Sequence, residues 1–383
     1  MHFLILSSIM ATVCVFEVVC GDEVCYDDLG CFPLGKPWSS TLRPVPPPQG
    51  PDIARVDFQV STRKNKIKPY ILAGYPKKVI PYFDGNKKTI IYAHEWLGSG
   101  NDTSVTMMKN LLLESMDINV VMVDYGYSSH ATYFQAVSNA RIIGAQIARF
   151  CKYLIEQQGS SPSRLHLIGT SLGAQTMAYA AKRIPFLARL TALEPAQPLF
   201  EGLSKEVRVD KDDAMFVDVV NTYGAVFNWG INSAVGHVDF FFNGGLNQPG
   251  CSLRKIKVST NGKEPEDTEV LKQRIACGHM RVVVYYLEAI GTNNCTFWGF
   301  KRESYIRTAI NIASRGVFGR VSQRHRVCTI KTCLPFGLET INYPARGSFD
   351  VFTAESPPYC IKNEAIDESM QRQRQVYNSK TIK

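Results

Sequence analysis

Residues 165–174 read LHLIGTSLGA and decide the fold, because they combine a strand, a tight turn and the start of a helix. The run from Leu165 to Gly169 has the apolar character of a buried parallel strand. It leads into a G-x-S-x-G motif, whose small residues let strand and helix approach while the turn lifts the hydroxyl of Ser171 above the sheet. The helix N-terminus offers N–H groups to a developing oxyanion. The motif predicts Ser171 as a nucleophile; the alternative is an ordinary glycine-rich turn.

Strand-like and helix-like segments alternate on both sides of this motif. Apolar runs predict strands over 89–94, 119–124, 165–169, 190–193 and 215–221, where the series ends. Helical spacing of apolar residues predicts helices over 105–116, 137–154 and 172–183. This alternation predicts an α/β fold with a mostly parallel sheet.

Composition sets limits on the function. The chain has 383 residues, of which 45% are hydrophobic and 20% charged, and this excludes disordered, collagen-like and coiled-coil proteins. Lys+Arg 43 against Asp+Glu 34 gives a net charge of +9, which suits an anionic surface such as phospholipid. Because no stretch is densely basic, we expect no nucleic-acid partner.

The N-terminus and the cysteines indicate export. Phe3 to Val19 is an apolar run broken by Glu17, and it predicts a signal peptide over 1–21, although a positive n-region is missing. The alternative, a transmembrane anchor, requires a longer run. Nine of the eleven cysteines follow this segment without zinc-like spacing, so they predict disulfides in a secreted, extracellular chain. Cys151 lies on the apolar side of a helix, and we expect it to be unpaired.

Three further features concern the organisation of the chain. Asn101 and Asn294 each begin an N-x-Thr sequence, which predicts glycosylation. We expect one domain over 22–360, followed by a polar tail at 361–383 that is frayed. Residues 301–326 resemble an insertion to which we assign no function.

Ordered motifs surround the serine turn from residue 22 to about residue 290. They are VCY (24–26), LGCF (29–32), SPSRLHLIG (161–169), ALEPA (192–196), GHVDFF (236–241), NGG (243–245) and PGC (249–251). With these motifs the chain resembles the pancreatic lipase family of secreted α/β-hydrolases. The resemblance implies an α/β-hydrolase fold with a mostly parallel central sheet flanked by helices. Because little chain follows this region, it resembles the single-domain phospholipase A1-like and invertebrate branches, and we expect no C-terminal β-sandwich.

The resemblance implies a catalytic triad of Ser171, Glu194 and His279. The histidine would take the hydroxyl proton during attack and return a proton to the leaving alcohol, while the acid would fix its tautomer. The backbone N–H groups of Trp96 and Leu172 would be the oxyanion donors.

Three residues depart from the family pattern. Glu194 stands where the family usually has aspartate and reaches one methylene further, so the histidine or the backbone must adjust. Glu95 replaces a glycine in the oxyanion loop, where a side chain can exclude a glycine-only conformation. Thr170 replaces the histidine before the nucleophile, which we expect to be a mild change.

The resemblance also implies a structural calcium site, a set of disulfides and a lid. The calcium would bind Asp210, Asp213 and the carbonyls of Lys205 and Arg208; the alternative is an acidic surface turn. We expect no cofactor for catalysis. Cys25–Cys31 and Cys251–Cys277 are family-like pairs, and among the other cysteines we expect Cys295–Cys360 and Cys328–Cys333. The pair Cys251–Cys277 brackets a lid, 251–277, and ten of residues 252–276 are charged.

The sequence therefore predicts a secreted hydrolase of lipid carboxylic esters that acts at a lipid–water interface without spanning the membrane. Triacylglycerol and phospholipid sn-1 esters both remain open as substrates. The alternative is an impaired, lipid-binding or yolk-type storage protein, which Glu95 and Glu194 favour and Ser171 and His279 oppose. A third interpretation is a peptidase or small-ester esterase on the same fold.

Overall fold

The computed structural model describes residues 18–20, 22–74, 79–224, 229–251, 267–291, 295–302 and 328–381. Most of the expected signal peptide lies outside these residues. So do residues 252–266 of the lid, the glycosylation candidate Asn294, and most of 301–326.

An eleven-stranded sheet forms the centre of the protein, and a three-stranded sheet lies at the N-terminus. The strands are β1 (Val18–Cys20), β2 (Glu23–Tyr26), β3 (Gly30–Pro33), β4 (Asp57–Ser61), β5 (Tyr70–Ala73), β6 (Thr89–Ala93), β7 (Asn119–Asp124), β8 (Leu165–Thr170), β9 (Arg189–Leu193), β10 (Phe216–Asn221), β11 (Val238–Phe242), β12 (Trp298–Lys301), β13 (Cys333–Pro335) and β14 (Gly347–Val351). The large sheet has the order β13-β12-β14-β11-β10-β9-β8-β6-β7-β4-β5. Neighbours from β14 to β7 in this order pair in parallel, whereas both edges are antiparallel.

Helices cover both faces of the sheet. They are α1 (Thr103–Ser115), α2 (Gly126–Ser129), α3 (Tyr133–Gln157), α4 (Leu172–Ala181), α5 (Asp267–Gly291) and α6 (Glu364–Thr381). One apolar cluster joins α3 and α4 to the sheet, and a second contains residues of α1 and α5. Because both faces are covered, every residue of β6, β8 and β9 is buried. This three-layer arrangement is an α/β-hydrolase fold with a mostly parallel sheet.

Two expectations about the chain beyond residue 221 were wrong. The series of parallel strands does not end there, since β11 and β14 continue it. The tail is not frayed over 364–381 but forms α6, on which Ile366 and Met370 are buried. These two residues stand four positions apart, so they share one face of the helix and pack into the second cluster. One apolar face in a polar segment is enough to dock the helix.

Four disulfides connect cysteines in the described part of the chain. They are Cys25–Cys31, Cys251–Cys277, Cys295–Cys360 and Cys328–Cys333, the same pairs that the sequence analysis proposed. Cys151 is buried and free. No helix in the described ranges combines the length and apolarity that a membrane span requires.

Candidate active site

The backbone at Ser171 turns sharply between β8 and α4. Its φ of 55° and ψ of −120° are rare for a residue with a side chain, and they aim the chain back into a helix. The turn also requires two glycines for space. A Cβ on Gly169 would lie 2.2 Å from the carbonyl oxygen of Gly173, and a Cβ on Gly173 would lie 2.1 Å from that of His94. The motif therefore folds as strand, strained turn and helix.

His279 lies on α5 and contacts the serine directly. Its Nε2 atom is 2.9 Å from the Oγ atom of Ser171, and both side chains are buried. The edge of Trp229 packs against the imidazole, with the ring centroids 5.5 Å apart. Burial lowers the pKa of His279 to about 4, so the imidazole is neutral near pH 7. A neutral imidazole at this distance can accept the hydroxyl proton.

Glu194 follows β9 directly and is fully buried. Its carboxylate accepts hydrogen bonds from the backbone N–H and the hydroxyl of Thr222, the latter at 2.5 Å, and from the N–H of Tyr223 at 2.8 Å. The distance from its Oε1 atom to Nδ1 of His279 is 4.0 Å, and this nitrogen has no hydrogen-bond partner among the residues that the structure describes. Burial raises the pKa of Glu194 to about 7.

The backbone at Glu194 has a positive φ of 48°. Gly230 leaves room for the carboxylate on the other side, because a Cβ there would lie 1.8 Å from Oε1. Sequence reasoning missed this enclosure by Thr222, Tyr223 and Gly230. The type of a residue does not show what its backbone N–H binds. The only available signal was that residue 222 directly follows β10, a strand that neighbours β9.

The two expected oxyanion donors lie on opposite sides of Ser171 in the chain. Leu172 is the first residue of α4, so its N–H has no acceptor within the helix. Trp96 is held by a bond from its indole N–H to the carbonyl of Ala131 at 3.1 Å. The residue with positive φ in this loop is Leu97, not Glu95, so the glycine-only conformation that we considered at position 95 is not required. Burial, with a smaller contribution from Asp102, raises the pKa of Glu95 to about 7.

The expected calcium loop already contains a cation from the chain itself. The ammonium of Lys182 donates to the carbonyl oxygen of Arg208 at 3.0 Å and to the carboxylate of Asp213. Asp210 accepts from Arg208 at 3.1 Å, and Lys205 points to Asp212 at 2.8 Å. Two of the four proposed ligands are therefore occupied by an ammonium that would repel a divalent ion. These residues do not fit calcium as they stand.

The remaining predicted residue in the described ranges is Asn101, which is exposed just before α1. Its side-chain oxygen accepts a bond of 3.4 Å from Gln59. The position is accessible for a glycan, and nothing in the geometry indicates that one is attached.

Comparison with known proteins identifies the family. The family model described as Lipase matches residues 22–311. Pancreatic lipase-related protein 2 of Myocastor coypus is 38% identical over 296 residues, which cover 74% of this chain and 62% of that protein. Pancreatic triacylglycerol lipase of the same species is 36% identical, over 75% of this chain and 64% of that protein. A human relative named inactive pancreatic lipase-related protein 1 is 37% identical, over 70% of this chain and 59% of that protein.

The match is partial in length, since the chain spans about three fifths of these relatives. Among solved structures, the esterase Est1E from Butyrivibrio proteoclasticus is 15% identical with a TM-score of 0.24, over 37% of this chain and 46% of that one. The family model covers the whole segment from the N-terminal hairpin through the serine turn and the helix of His279. The chain belongs to the pancreatic lipase family.

Proposed function

We propose that this protein hydrolyses carboxylic esters of lipids through an acyl-enzyme on Ser171. The observation that carries the proposal is the 2.9 Å contact between Nε2 of His279 and Oγ of Ser171, in a buried pocket where the histidine is neutral. Activation of a serine requires a base in this position and protonation state. Four disulfides support an extracellular location, and the substrates that we propose are triacylglycerols or phospholipid sn-1 esters.

The reaction assigns a role to each residue. His279 accepts the proton of Ser171 while Oγ attacks the ester carbonyl, and the oxyanion accepts bonds from the N–H groups of Leu172 and Trp96. His279 then protonates the leaving alcohol, and a water molecule repeats the sequence to release the fatty acid. When it is ionised, above its pKa of about 7, Glu194 stabilises the imidazolium by its charge across 4.0 Å rather than by a hydrogen bond.

A second candidate function is a lipid-binding or storage protein without catalysis. The unpartnered Nδ1 atom of His279 favours it, because loss of the oriented tautomer costs up to about 10⁴ in kcat in a serine triad. A relative at 37% identity that is named inactive makes this alternative concrete.

Fatty-acid release from a mixed triacylglycerol and phospholipid emulsion separates the two functions. We expect release by the wild type, loss of release in Ser171→Ala, and no change in Ser163→Ala, an exposed serine outside the site. A fluorophosphonate probe should label the wild type and Ser163→Ala but not Ser171→Ala. If the folded wild type shows no fatty-acid release and no labelling, the hydrolase function is contradicted and the binding role remains.

A further inference from the structure

A pocket lies away from Ser171, on the face of the sheet that α3 and α4 cover. It has a volume of about 430 Å³, within the range of pockets that bind small molecules. The N-terminal hairpin, α3, α4 and the loop before β10 form its walls. None of the residues that line it belongs to the candidate triad.

Two arginines from neighbouring helices face this pocket. Arg141 of α3 is only 6% exposed, and its NH1 group donates to the carbonyl of Pro33 at 2.8 Å. Arg183, just after α4, donates in the same way to the carbonyl of Leu29 at 2.8 Å. Each guanidinium has five N–H donors, so one bond to the hairpin leaves others for a ligand. The hairpin carbonyls thus hold both side chains in place.

The charge of these two arginines is not neutralised. Neither guanidinium forms a salt bridge with a residue that the structure describes. Three acidic residues line the wall. Asp212 pairs with Lys205 and Asp213 with Lys182, while Glu206 is exposed and accepts a hydrogen bond from Ser204. Burial together with the positive charges of Arg43 and Arg183 lowers the pKa of Arg141 to about 10. An anion in the pocket would relieve this repulsion.

Aromatic rings form the rest of the binding surface. The guanidinium of Arg141 stacks on Trp38 at 4.0 Å, and that of Arg183 lies 5.1 Å from the ring of Phe32. The rings of Trp38 and Tyr179 are 5.9 Å apart, and the Tyr179 hydroxyl donates to the carbonyl of Val207. These contacts restrict the rotamers of the arginines. Phe32 is buried, and the half-buried Trp38 leaves apolar ring surface beside the charged groups.

We propose that this pocket binds an organic anion, with a carboxylate, sulfate or phosphate group on Arg141 and Arg183 and an apolar body against Trp38. The planar guanidinium matches the oxygens of such groups through paired hydrogen bonds. The apolar wall makes the body of the ligand part of the recognition. The site shares no residue with the candidate triad, and its wall includes Lys205 and Asp213 of the expected calcium loop.

Calorimetric titration with octanoate, octyl sulfate and inorganic phosphate tests the proposal. Octanoate is kept below its micellar concentration, and Ser171→Ala is the host protein, so that no turnover occurs. We expect one octanoate per chain, bound at least tenfold more tightly than inorganic phosphate. Arg183→Gln should weaken octanoate binding about tenfold. Arg141→Lys should weaken it by a similar factor, although this variant keeps the positive charge and the fold.

Arg372→Gln is the control, because it removes the same charge from an exposed arginine on α6. It should bind octanoate like the host protein. Three results would overturn the proposal: no binding of any probe, octanoate binding that both pocket variants retain, or phosphate binding as tight as that of octanoate. Octanoate bound only beside the candidate triad would give the second result, so the two locations are distinguished.

Discussion

The two ends of strand β9 hold buried charges in opposite ways. Arg189 begins the strand, and Glu194 directly follows its last residue. At the first end, Arg189 makes two bonds to the carboxylate of Asp218, at 2.9 and 2.8 Å, and donates further bonds to two backbone carbonyls. At the second end, Glu194 is equally buried but receives only neutral donors from Thr222 and Tyr223.

We infer that the amino end of β9 contributes to the stability of the fold and that the carboxyl end contributes to the chemistry of the site. Near the amino ends, Arg189 with Asp218 and Lys182 with Asp213 before β10 are charges paired within the chain. Asp239 of β11 is the exception, since it is buried and, among the residues that the structure describes, accepts hydrogen bonds only from the backbone N–H groups of Val235 and Gly236. The carboxyl ends carry the positive φ angles of Ser171 and Glu194 and an acid without a cation. Ligand sites in open α/β sheets lie at these carboxyl ends, where backbone strain and perturbed pKa values are maintained for function.

Replacement of Glu194 by glutamine should have the largest effect of the four predictions, and it tests the carboxyl end of β9. The change removes a charge that can stabilise the imidazolium across 4.0 Å, so we expect kcat for ester hydrolysis to fall by up to about 10⁴-fold, the loss in a triad whose acid also orients the histidine. Steady-state kinetics on the emulsion measure the loss, with Glu156→Gln on the exposed face of α3 as the matched control. A drop below tenfold would mean that Glu194 only supports the loop of Thr222.

Replacement of Arg189 by methionine tests the other end of the strand. Asp218 would then be a buried charge without its partner, which costs about 3–5 kcal/mol of unfolding free energy. Urea denaturation measures this loss, while kcat per folded molecule should stay unchanged. The double variant Arg189→Met/Asp218→Leu should recover much of the stability. A variant with normal stability and reduced kcat would reverse the roles that we assign to the two ends.

The pH dependence of stability reports directly on Glu194. Its folded pKa of about 7 lies above the ordinary value of 4.5, so its contribution to stability is full below about 4.5 and is lost as the pH rises through 7. A neutral glutamine avoids this loss, which amounts to up to ~3 kcal/mol at about 1.4 kcal/mol per pH unit. The Tm of Glu194→Gln relative to wild type should therefore be higher at pH 8 than at pH 5. An equal difference at both pH values would contradict a raised pKa.

Calcium should have the smallest effect, because Lys182 already neutralises the carboxylate of Asp213. We expect the Tm of the wild type to be the same in EGTA and in millimolar CaCl₂. Lys182→Met removes the ammonium and leaves Asp213 buried without a cation, so this variant should be less stable and should gain stability from calcium. A calcium-dependent rise in the wild type would show that the ion displaces Lys182.

Local patterns predicted much of the central fold. The five predicted strands agree with β6 to β10 to within one residue at each end, because buried parallel strands are apolar on both faces and stand out from the intervening helices. Strand β11 was missed, since the segment before it contains no helix and the alternation stops there. Helix α6 was missed because its apolar face consists of few residues in a polar segment.

The sequence by itself determined the strand–turn–helix at Ser171, since the φ of a tight turn and the space between its glycines depend on neighbouring residues. Its resemblance to a family indicated which acid and which histidine to consider. Only the tertiary structure decided that His279, 108 positions away, contacts Ser171, that Glu194 stops 4.0 Å short of it, and that Lys182 occupies the expected calcium loop. These distances depend on how separate helices and loops pack on the sheet, which no local pattern encodes.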